Sequence, residues 1–243
     1  MPSSSIPSRG KPADYGQEIV LRRFRISAMH VSFKDKNVLD FGCGNGAQTI
    51  QFLGAGAKIC AIDIDPRDLQ ILSNHLRERN RHDILPVQYD GAHLPVASGA
   101  MDLVTSFEVL EHVPDEAAAL QEIHRVLKPG GEIIFSVPNK WWIFETHGAR
   151  LPLLKWNRVP FFSWLPRRLH RRFANARIYR RREIVRLLQQ HRFEILHTAY
   201  VAAPMDVLNS PALKRLARAT LFGQDTTRFA CLATAIFIHG RKL

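Results

Sequence analysis

Three glycines at alternate positions follow a short apolar run that contains an acidic residue. The run is Val38–Phe41, with Asp40 inside it, and the glycines are Gly42, Gly44 and Gly46. Glycine lets a ligand approach the backbone where side chains would block it, and the start of a following helix presents free N–H donors. Together, a strand, a glycine turn and a helix start form a crevice at the carboxyl end of a parallel sheet. The pattern therefore predicts a site for a small polar ligand.

A second group of residues able to do chemistry follows the apolar run Met101–Phe107. Glu111 and His112 come shortly after Phe107. Histidine titrates near neutral pH, so His112 beside Glu111 is a candidate general base for deprotonating a hydroxyl. An equally good interpretation makes His112 a loop histidine that only hydrogen-bonds the backbone near a helix start. Both interpretations stay open, and Glu111 and His112 are the catalytic candidates.

The elements that must position these residues alternate between strands and helices. Strands are predicted at 38–41, 58–63, 84–89, 101–107, 132–137, 193–200 and 228–239. Helices are predicted at 14–30, 47–53, from 66 onward, after 115, at 182–191 and at 212–221. Gly54 is the expected stop of the second helix, and Asp65 is the expected N-cap of the third. This alternation is typical of an α/β fold with a doubly wound, mostly parallel sheet.

Five motifs occur in the order and at the strand ends seen in one family. They are Asp40-x-Gly42-x-Gly44-x-Gly46, Asp63, Asp90-Gly91-Ala92, Glu108-x-x-Glu111-His112-Val113 and Leu127-Lys-Pro-Gly-Gly131. Over roughly residues 36 to 140 they resemble the class I S-adenosylmethionine-dependent methyltransferases. Within that family the chain looks most like small-molecule methyltransferases related to the ubiquinone-biosynthesis O-methyltransferases. The resemblance implies a Rossmann-like sheet of seven strands, with the last strand inserted antiparallel.

The resemblance also assigns residues to the methionyl part of S-adenosylmethionine. Gly42, Cys43 and Gly44 would pass their backbone close to it. Phe107, at the end of the fourth strand, would lie beside the methionyl group. Asp40 would orient the loop, or bind the cofactor amine through water.

Four further residues are implied to bind the nucleoside part of the cofactor. Asp63 would accept hydrogen bonds from both ribose hydroxyls, which suits the two oxygens of a carboxylate. Ile64 would pack on the adenine face. Asp90 would accept a hydrogen bond from the adenine amine, and Gly91 belongs to the same site. Each motif by itself is also compatible with a purely structural role, such as a turn or a helix cap.

A dinucleotide site is the sharpest competing interpretation. Gly42-x-Gly44-x-x-Ala47 satisfies the dinucleotide fingerprint, and Asp63 lies about 20 residues further on. Other residues without a place in that fingerprint count against a nicotinamide cofactor. They are Gly46, Asp40, Asp90 and the Glu111-His112 pair.

The composition suits one α/β domain. The chain has 243 residues, 46% of them hydrophobic, which is enough for a sizeable core. Residues 1–13 are rich in Ser and Pro and are predicted to be a disordered leader, followed by a single domain at 14–243. The sequence contains no apolar run of the roughly 18 residues that a membrane span needs. Three dispersed cysteines fit a reducing cytoplasm, the histidines have no metal-ligand spacing, and nothing fixes the oligomeric state.

The positive charge of the chain is concentrated in a segment after the fifth predicted strand. Residues 139–182 combine many arginines with aromatic residues and show no strand–helix alternation. We interpret this insertion as a lid that binds an acceptor with apolar and anionic parts, with possible contact to an anionic membrane surface. A solvated arginine face is the plainer alternative. Nucleic acid is a less favoured partner because no base-flipping motif accompanies the basic residues.

These observations predict a cytoplasmic enzyme that uses S-adenosylmethionine to methylate a small-molecule or lipid-like acceptor. O-methylation is favoured because His112 could serve as a base for a hydroxyl. The alternatives are an RNA methyltransferase that uses the basic segment, and a methyltransferase-like protein that binds a partner without catalysis. The identity of the acceptor is not determined by the sequence.

Overall fold

A computed structural model of the protein describes residues 15–144, 160–206, 208 and 210–243. The helices are α1 (Glu18–His30), α2 (Ala47–Gly54), α3 (Pro66–Glu78), α4 (Glu116–Val126), α5 (Arg167–Phe173), α6 (Arg181–Gln190) and α7 (Pro211–Ala219). The strands are β1 (Asn37–Phe41), β2 (Lys58–Asp63), β3 (Val87–Gln88), β4 (Met101–Phe107), β5 (Leu127–Pro138), β6 (Phe193–Ala202), β7 (Thr226–Thr227) and β8 (Ala233–Lys242). The predicted leader at 1–13 and residues 145–159 of the insertion lie outside the described residues.

All eight strands form one sheet in the order β3-β2-β1-β4-β5-β8-β6-β7. The strands β1 to β5 are parallel to their neighbours, and β8 is antiparallel to both β5 and β6. The predicted doubly wound, mostly parallel α/β fold with an antiparallel last strand is therefore confirmed. The order reverses between β1 and β4, and ligands of open α/β sheets bind at such a point, outside the carboxyl ends of the strands.

The prediction of seven strands is wrong, because the sheet has eight. The additional strand, β7, consists of Thr226 and Thr227 and pairs with Tyr200 and Val201 at the sheet edge. Two residues are too few to produce the alternating pattern by which a strand is predicted from sequence.

Several predicted boundaries differ from the observed ones for local reasons. Helix α2 includes Gly54, and the left-handed residue after it is Gly56, at φ 86°. Strand β3 is much shorter than predicted because Pro86, directly before it, has no N–H for the ladder. Helix α5 is not predicted at all. Five of its seven residues are basic, so only Leu169 and Phe173 indicate an apolar face.

The strands place alternate side chains in two cores, one on each face of the sheet. Val38, Leu103 and Ile134 pack on one face with residues of α1 and α2 such as Phe52. Their neighbours in sequence pack on the opposite face with residues of α4 and α6; these neighbours are Leu39, Val104 and Ile133. Because both faces are covered, the strands are apolar throughout, as expected for a parallel sheet. Helices therefore cover both faces of the sheet, and the glycine loop lies at the carboxyl ends of the strands.

Candidate functional site

The glycine loop after β1 is held between the β4–α4 loop and helix α3. A Cβ atom on Gly42 would lie 2.4 Å from Val109 Cγ2, and one on Gly46 would lie 2.2 Å from Leu72 Cδ1. Both glycines also have positive φ, 75° and 86°. Close packing and backbone conformation therefore both require glycine at these two positions.

Hydrogen bonds within the protein fix the path of this loop. The backbone N–H groups of Gly42 and Cys43 both donate to the carbonyl of Ile62, each at 2.9 Å. Burial raises the pKa of the Cys43 thiol, so this side chain stays neutral and forms part of the loop's packing. The loop is thus bound directly to the end of β2.

Asp40 is buried below the loop and connects three elements. Its carboxylate accepts hydrogen bonds from Thr49 Oγ1 of α2 at 2.6 Å and from Thr105 Oγ1 of β4 at 3.3 Å. Burial raises its pKa to about 6, and the two threonine hydroxyls oppose that shift. Asp40 therefore joins β1 to α2 and β4 directly below the glycine loop.

Asp63, the last residue of β2, also holds the loop. Its Oδ2 accepts a hydrogen bond from the N–H of Gly44 at 2.8 Å, and its Oδ1 accepts one from the N–H of Asp65 at 2.9 Å. A carboxylate has about four lone-pair sites. Each oxygen can therefore accept a further hydrogen bond from a ligand after its backbone bond is made.

Ile64 and the Asp90-Gly91 pair lie side by side next to Asp63. The Ile64 side chain is half exposed, and a Cβ on Gly91 would be 3.9 Å from Ile64 Cγ2. Asp90 Oδ1 accepts hydrogen bonds from the N–H groups of Ala92 and His93, at 2.8 and 3.0 Å. These bonds lower the pKa of the exposed Asp90 carboxyl and keep it ionised. The predicted adenine-binding residues are therefore adjacent to one another.

The end of β4 lies under helix α1. The ring of Phe107 stacks on Phe52, with 6.0 Å between the ring centroids, and the Arg23 guanidinium lies 5.8 Å from the Phe107 centroid. Arg23 also forms an ion pair with Glu108 at 3.1 Å, and Ser136 Oγ donates to the same carboxylate oxygen at 2.8 Å. Glu108 has a φ of 58°, so this network holds a left-handed residue directly before the candidate catalytic loop.

The two predicted catalytic residues lie together in the loop between β4 and α4. Glu111 is fully buried, and His112 is mostly buried. His112 Nε2 and Glu111 Oε1 are 4.0 Å apart, which is beyond hydrogen-bond distance. The backbone N–H of His112 donates to the carbonyl of Val109, so the loop turns at this point.

The end of the insertion crosses over this loop. Arg177 donates from its guanidinium to the carbonyls of Val113 and Pro114, the latter at 3.0 Å, and its backbone N–H donates to Glu111 O at 3.3 Å. The Arg177 side chain also forms an ion pair with Glu116 at 3.4 Å. Tyr179 donates its hydroxyl to the same carboxylate at 2.7 Å. The backbone around His112 is therefore held by the segment that the sequence analysis assigned to the lid.

Tyr15 lies against the glycine loop and helix α3. Its hydroxyl donates to the carbonyl of Asn45, and its ring lies 4.1 Å from the ring of His75 in α3. Burial raises the pKa of Tyr15 to about 12. The sequence places this residue inside the first helix, but α1 begins only at Glu18 because Gly16 forms a turn with φ 78°.

The structure brings all predicted site residues to one edge of the sheet, in two groups. The glycine loop, Asp63 and the Ile64–Gly91 pair lie at the carboxyl ends of β1 to β3, along the predicted crevice, and Glu111 and His112 lie in the loop after β4. Sequence reasoning missed the roles of Arg23, Tyr15 and Arg177, because each acts through contacts with residues distant in the chain. Residues 15–144, 160–206, 208 and 210–243 contain no group of three or more possible metal ligands.

The family is identified by comparison over most of the chain. Residues 17–198 match the family model described as a methyltransferase domain. The chain belongs to this methyltransferase family. Its motifs are those of the class I, S-adenosylmethionine-dependent members, and S-adenosylmethionine is the cofactor of these proteins. The acids and the glycine loop at the crevice fit that cofactor, because ionised Asp63 and Asp90 can accept hydrogen bonds from its hydroxyl and amino groups.

The curated relatives agree with this family and cover part of the chain. The ubiquinone biosynthesis O-methyltransferase of Sodalis glossinidius is 37% identical over 121 residues, which are 49% of either chain. The protein of the same name from Nitrosococcus oceani is 33% identical over 131 residues, 51% of this chain and 54% of the relative. The chain thus spans about half the length of the curated relatives it matches.

Solved structures show the same fold at low sequence identity. A methyltransferase from Mesorhizobium loti has a TM-score of 0.61 at 20% identity, covering 90% of this chain and 96% of the other. One from Aquifex aeolicus has a TM-score of 0.62 at 11% identity, covering 95% and 94%. The cyclase SpnF is also similar, with a TM-score of 0.62 at 19% identity over 91% of this chain and 80% of the other. The fold alone therefore does not determine the reaction.

Proposed function

We propose that the protein transfers a methyl group from S-adenosylmethionine to a hydroxyl of a small-molecule or lipid-like acceptor. The observation that carries the proposal is the position of Asp63, which ends β2, binds the N–H of Gly44 in the glycine loop and directly precedes Ile64. The names of the curated relatives support O-methylation. Because the match covers about half of each relative, the reaction and the acceptor are proposals for this chain.

The proposed cofactor residues form three parts of one crevice. Gly42, Cys43 and Gly44 would lie along the methionyl part, with Phe107 at the end of β4 near it. Asp63 would accept hydrogen bonds from the ribose hydroxyls. The adenine would lie against Ile64 and Gly91, with its amino group toward the ionised Asp90. Asp40 would act indirectly by fixing the loop, since it is buried against Thr49 and Thr105.

The reaction requires little of the protein beyond placement. The cofactor supplies an electrophilic methyl group, so holding the acceptor oxygen in line with it can provide several kcal/mol of barrier reduction. His112 would accept the hydroxyl proton, and the buried Glu111 beside it would support the resulting positive charge. Arg177 would position this loop through its carbonyl groups.

Residues 139–182 are proposed to cover the acceptor. Within this segment, Lys140 Nζ donates hydrogen bonds to the carbonyls of Ser163 and Leu165, at 3.0 and 2.9 Å. The ring of Trp164 contacts those of Trp141 and Phe161 edge-to-face, with 6.2 and 4.9 Å between the ring centroids. These half-exposed aromatic side chains suit an apolar acceptor. The exposed arginines of α5 suit anionic groups on the acceptor or on a membrane.

The proposed location is the cytoplasm, in which case membrane contact would be peripheral. Cys43, Cys60 and Cys231 are free thiols, which fits a reducing compartment. The described part of the chain has no helix with the length and apolar content needed to cross a bilayer.

Calorimetry tests the cofactor part of this proposal. Titration with S-adenosylhomocysteine should give saturable binding, and titration with NAD should give none. Binding of NAD without binding of S-adenosylhomocysteine would refute it.

Transfer of a labelled methyl group tests the reaction. The acceptors should be phenols that differ only in the presence of an alkyl chain, with a structured RNA tested in parallel. Methylation of the alkyl phenols supports the proposal, whereas transfer only to RNA supports the nucleic-acid alternative. Cofactor binding without transfer to any acceptor of the panel supports the non-catalytic alternative.

A further inference from the structure

Exposed apolar side chains are concentrated in two connections of the fold. The described part of the chain exposes fifteen large hydrophobic residues, and nine of them lie either between β5 and β6 or between β6 and β8. These nine are Trp141, Phe144, Phe161, Trp164, Leu169, Leu213, Leu216, Leu221 and Phe229. A soluble protein commonly exposes single apolar residues, but a concentration of this kind marks an interaction surface.

The two connections leave the sheet side by side. Strands β5 and β6 both run antiparallel to β8, and Pro138 and Val201 both pair with Ala235. The two strands therefore end at the same edge of the sheet. Asn139, the first residue after β5, donates hydrogen bonds from Nδ2 to the carbonyls of Ala230 and Ala233 at 2.7 and 2.9 Å. The two connections also touch, since Trp142 packs in one cluster with Ala217 of α7, and Trp141 and Phe161 both contact Trp164. We call the exposed apolar residues of these connections the apolar edge.

Helix α7 contributes the most exposed part of the apolar edge. All nine of its residues are described, and none is buried. Leu213 is 57% exposed and Leu216 is 62% exposed, whereas Ala217 packs in a small cluster with Phe222 and Trp142. The helix is attached to the fold on that inner side by Arg218, which donates to Pro204 O at 2.9 Å. Its outer side has no partner among the described residues.

The charge of α7 indicates the partner. The helix contains Lys214, Arg215 and Arg218 and no acidic residue, and Ser210 caps its start. Leucines on one side and basic residues beside them are the pattern of a helix that lies in a membrane interface. The aromatic residues of the apolar edge are of the type enriched at the level of lipid headgroups.

We propose that the apolar edge, with α7 at its centre, docks on an anionic lipid bilayer. Leu213 and Leu216 enter the interface, and Arg215, which is exposed like them, contacts the lipid headgroups. A second copy of the chain is a poorer occupant because two-fold pairing would bring the same basic helix against itself, in a chain of net charge +12. Anionic lipid removes this repulsion.

Docking in this way would give the proposed lipid-like acceptor a route to the cofactor crevice. The carboxyl ends of β1 and β4, where the cofactor crevice opens, lie at the same edge of the sheet as the ends of β5 and β6. A lipid-like acceptor could then reach the crevice from the bilayer. The docking itself rests on exposure and charge, so its test requires no catalysis and can fail independently of the methyltransferase proposal.

Vesicle flotation of the full chain tests the inference. The wild type should float with vesicles rich in phosphatidylglycerol and much less with phosphatidylcholine vesicles. The double variant Leu213→Gln/Leu216→Gln should reduce partitioning roughly tenfold or more, since each leucine loses apolar burial. Arg215→Gln should reduce it by about fivefold, because one charge at the membrane surface contributes about 1 kcal/mol.

Matched controls come from the opposite edge of the sheet. Leu85 is 79% exposed before β3, and Lys34 and Lys58 are exposed near the starts of β1 and β2. Leu85→Gln and Lys34→Gln/Lys58→Gln should leave flotation unchanged, and circular dichroism should show that all variants are folded. The inference is overturned if anionic vesicles do not bind the wild type, if the controls reduce binding as much as the α7 variants, or if Leu216→Gln instead dissolves a dimer seen by light scattering.

Discussion

Replacing Asp63 with Asn separates the two roles proposed for this carboxylate. In the structure its two oxygens accept hydrogen bonds from the N–H groups of Gly44 and Asp65, at 2.8 and 2.9 Å. An Asn side chain keeps one acceptor oxygen, and its NH₂ group would face the other N–H donor. One buried donor then loses its partner, which costs about 1–3 kcal/mol in the free energy of unfolding. Urea denaturation should show this loss.

The same substitution should weaken cofactor binding by a separate amount. A hydrogen bond to a charged acceptor contributes about 1.5–3 kcal/mol. This corresponds to a rise of roughly 10- to 150-fold in the Kd of S-adenosylhomocysteine. Asp83→Asn is the matched control, because Asp83 is exposed and pairs with Arg81 outside the crevice. It should leave the Kd unchanged.

A ligand lacking one ribose hydroxyl distinguishes direct contact from distortion of the loop. The wild type should bind 2′-deoxy-S-adenosylhomocysteine more weakly than the normal ligand, and Asp63→Asn should show a much smaller difference. The two ligands and the two proteins form a thermodynamic cycle, which isolates the energy of the contact between the ribose hydroxyl and the Asp63 carboxylate. An equal difference in both proteins would refute the ribose contact and leave Asp63 as a structural residue of the loop.

Three further predictions concern the residues around the crevice. His112→Asn should lower kcat by roughly a hundredfold or more, with the Kd of S-adenosylhomocysteine unchanged, since a general base acts in the transition state; full kcat would make His112 structural. Arg177→Gln should misplace the loop that carries His112, which should lower kcat by roughly ten- to a hundredfold and speed hydrogen exchange at residues 111–116. The control Arg172→Gln, at an exposed arginine of α5, should change neither kcat nor exchange. Burial raises the folded-state pKa of Asp40 to about 6. The protonated Asp40 carboxyl therefore contributes to the free energy of unfolding fully below about pH 4, and this contribution is lost as the pH rises through 6. Asp40→Asn should therefore gain about 2 kcal/mol of stability relative to the wild type between pH 4 and 7, measured by urea denaturation, and an equal pH dependence in both proteins would contradict the assignment.

The long elements of the fold were accessible from local sequence signals. Strand β2 ends at Asp63 as predicted, because a run of apolar residues ends in an acid before a helix cap. Asp65 caps α3 through a hydrogen bond from the N–H of Arg67, with Pro66 as the first helical residue. These signals act between neighbours in the chain, so the sequence contains them directly.

The roles of the glycines show where local reasoning stops. The sequence predicts that Gly42 and Gly46 let a ligand approach the backbone, and the structure adds a second requirement for glycine, because a Cβ at either position would collide with Val109 or Leu72. Val109 is more than sixty residues away from Gly42 in the chain, and its position depends on the packing of β4 against β1. The sequence therefore locates the loop, and the packing of distant elements explains it.

In helix α1, tertiary structure decides which arginine is buried. Its arginines suggest an exposed basic face, but Arg22 is fully buried and donates hydrogen bonds to the carbonyls of Ala202 and Phe222, among others. A buried guanidinium is tolerated because its five donors find acceptors there. Those acceptors come from the last residue of β6 and from the connection after it, 180 and 200 residues further along the chain.

The sequence by itself determined the family, the doubly wound sheet and the order of the site residues, because these depend on strand periodicity, caps and motifs within short stretches. Only the tertiary structure decided what lies against each residue. It joined Arg177 to the His112 loop, Arg23 to Glu108, and α7 to Trp142 at the start of the insertion. The physical reason is that these contacts form between segments brought together by the common carboxyl edge of the sheet, and no pattern of neighbouring residues encodes such a pairing.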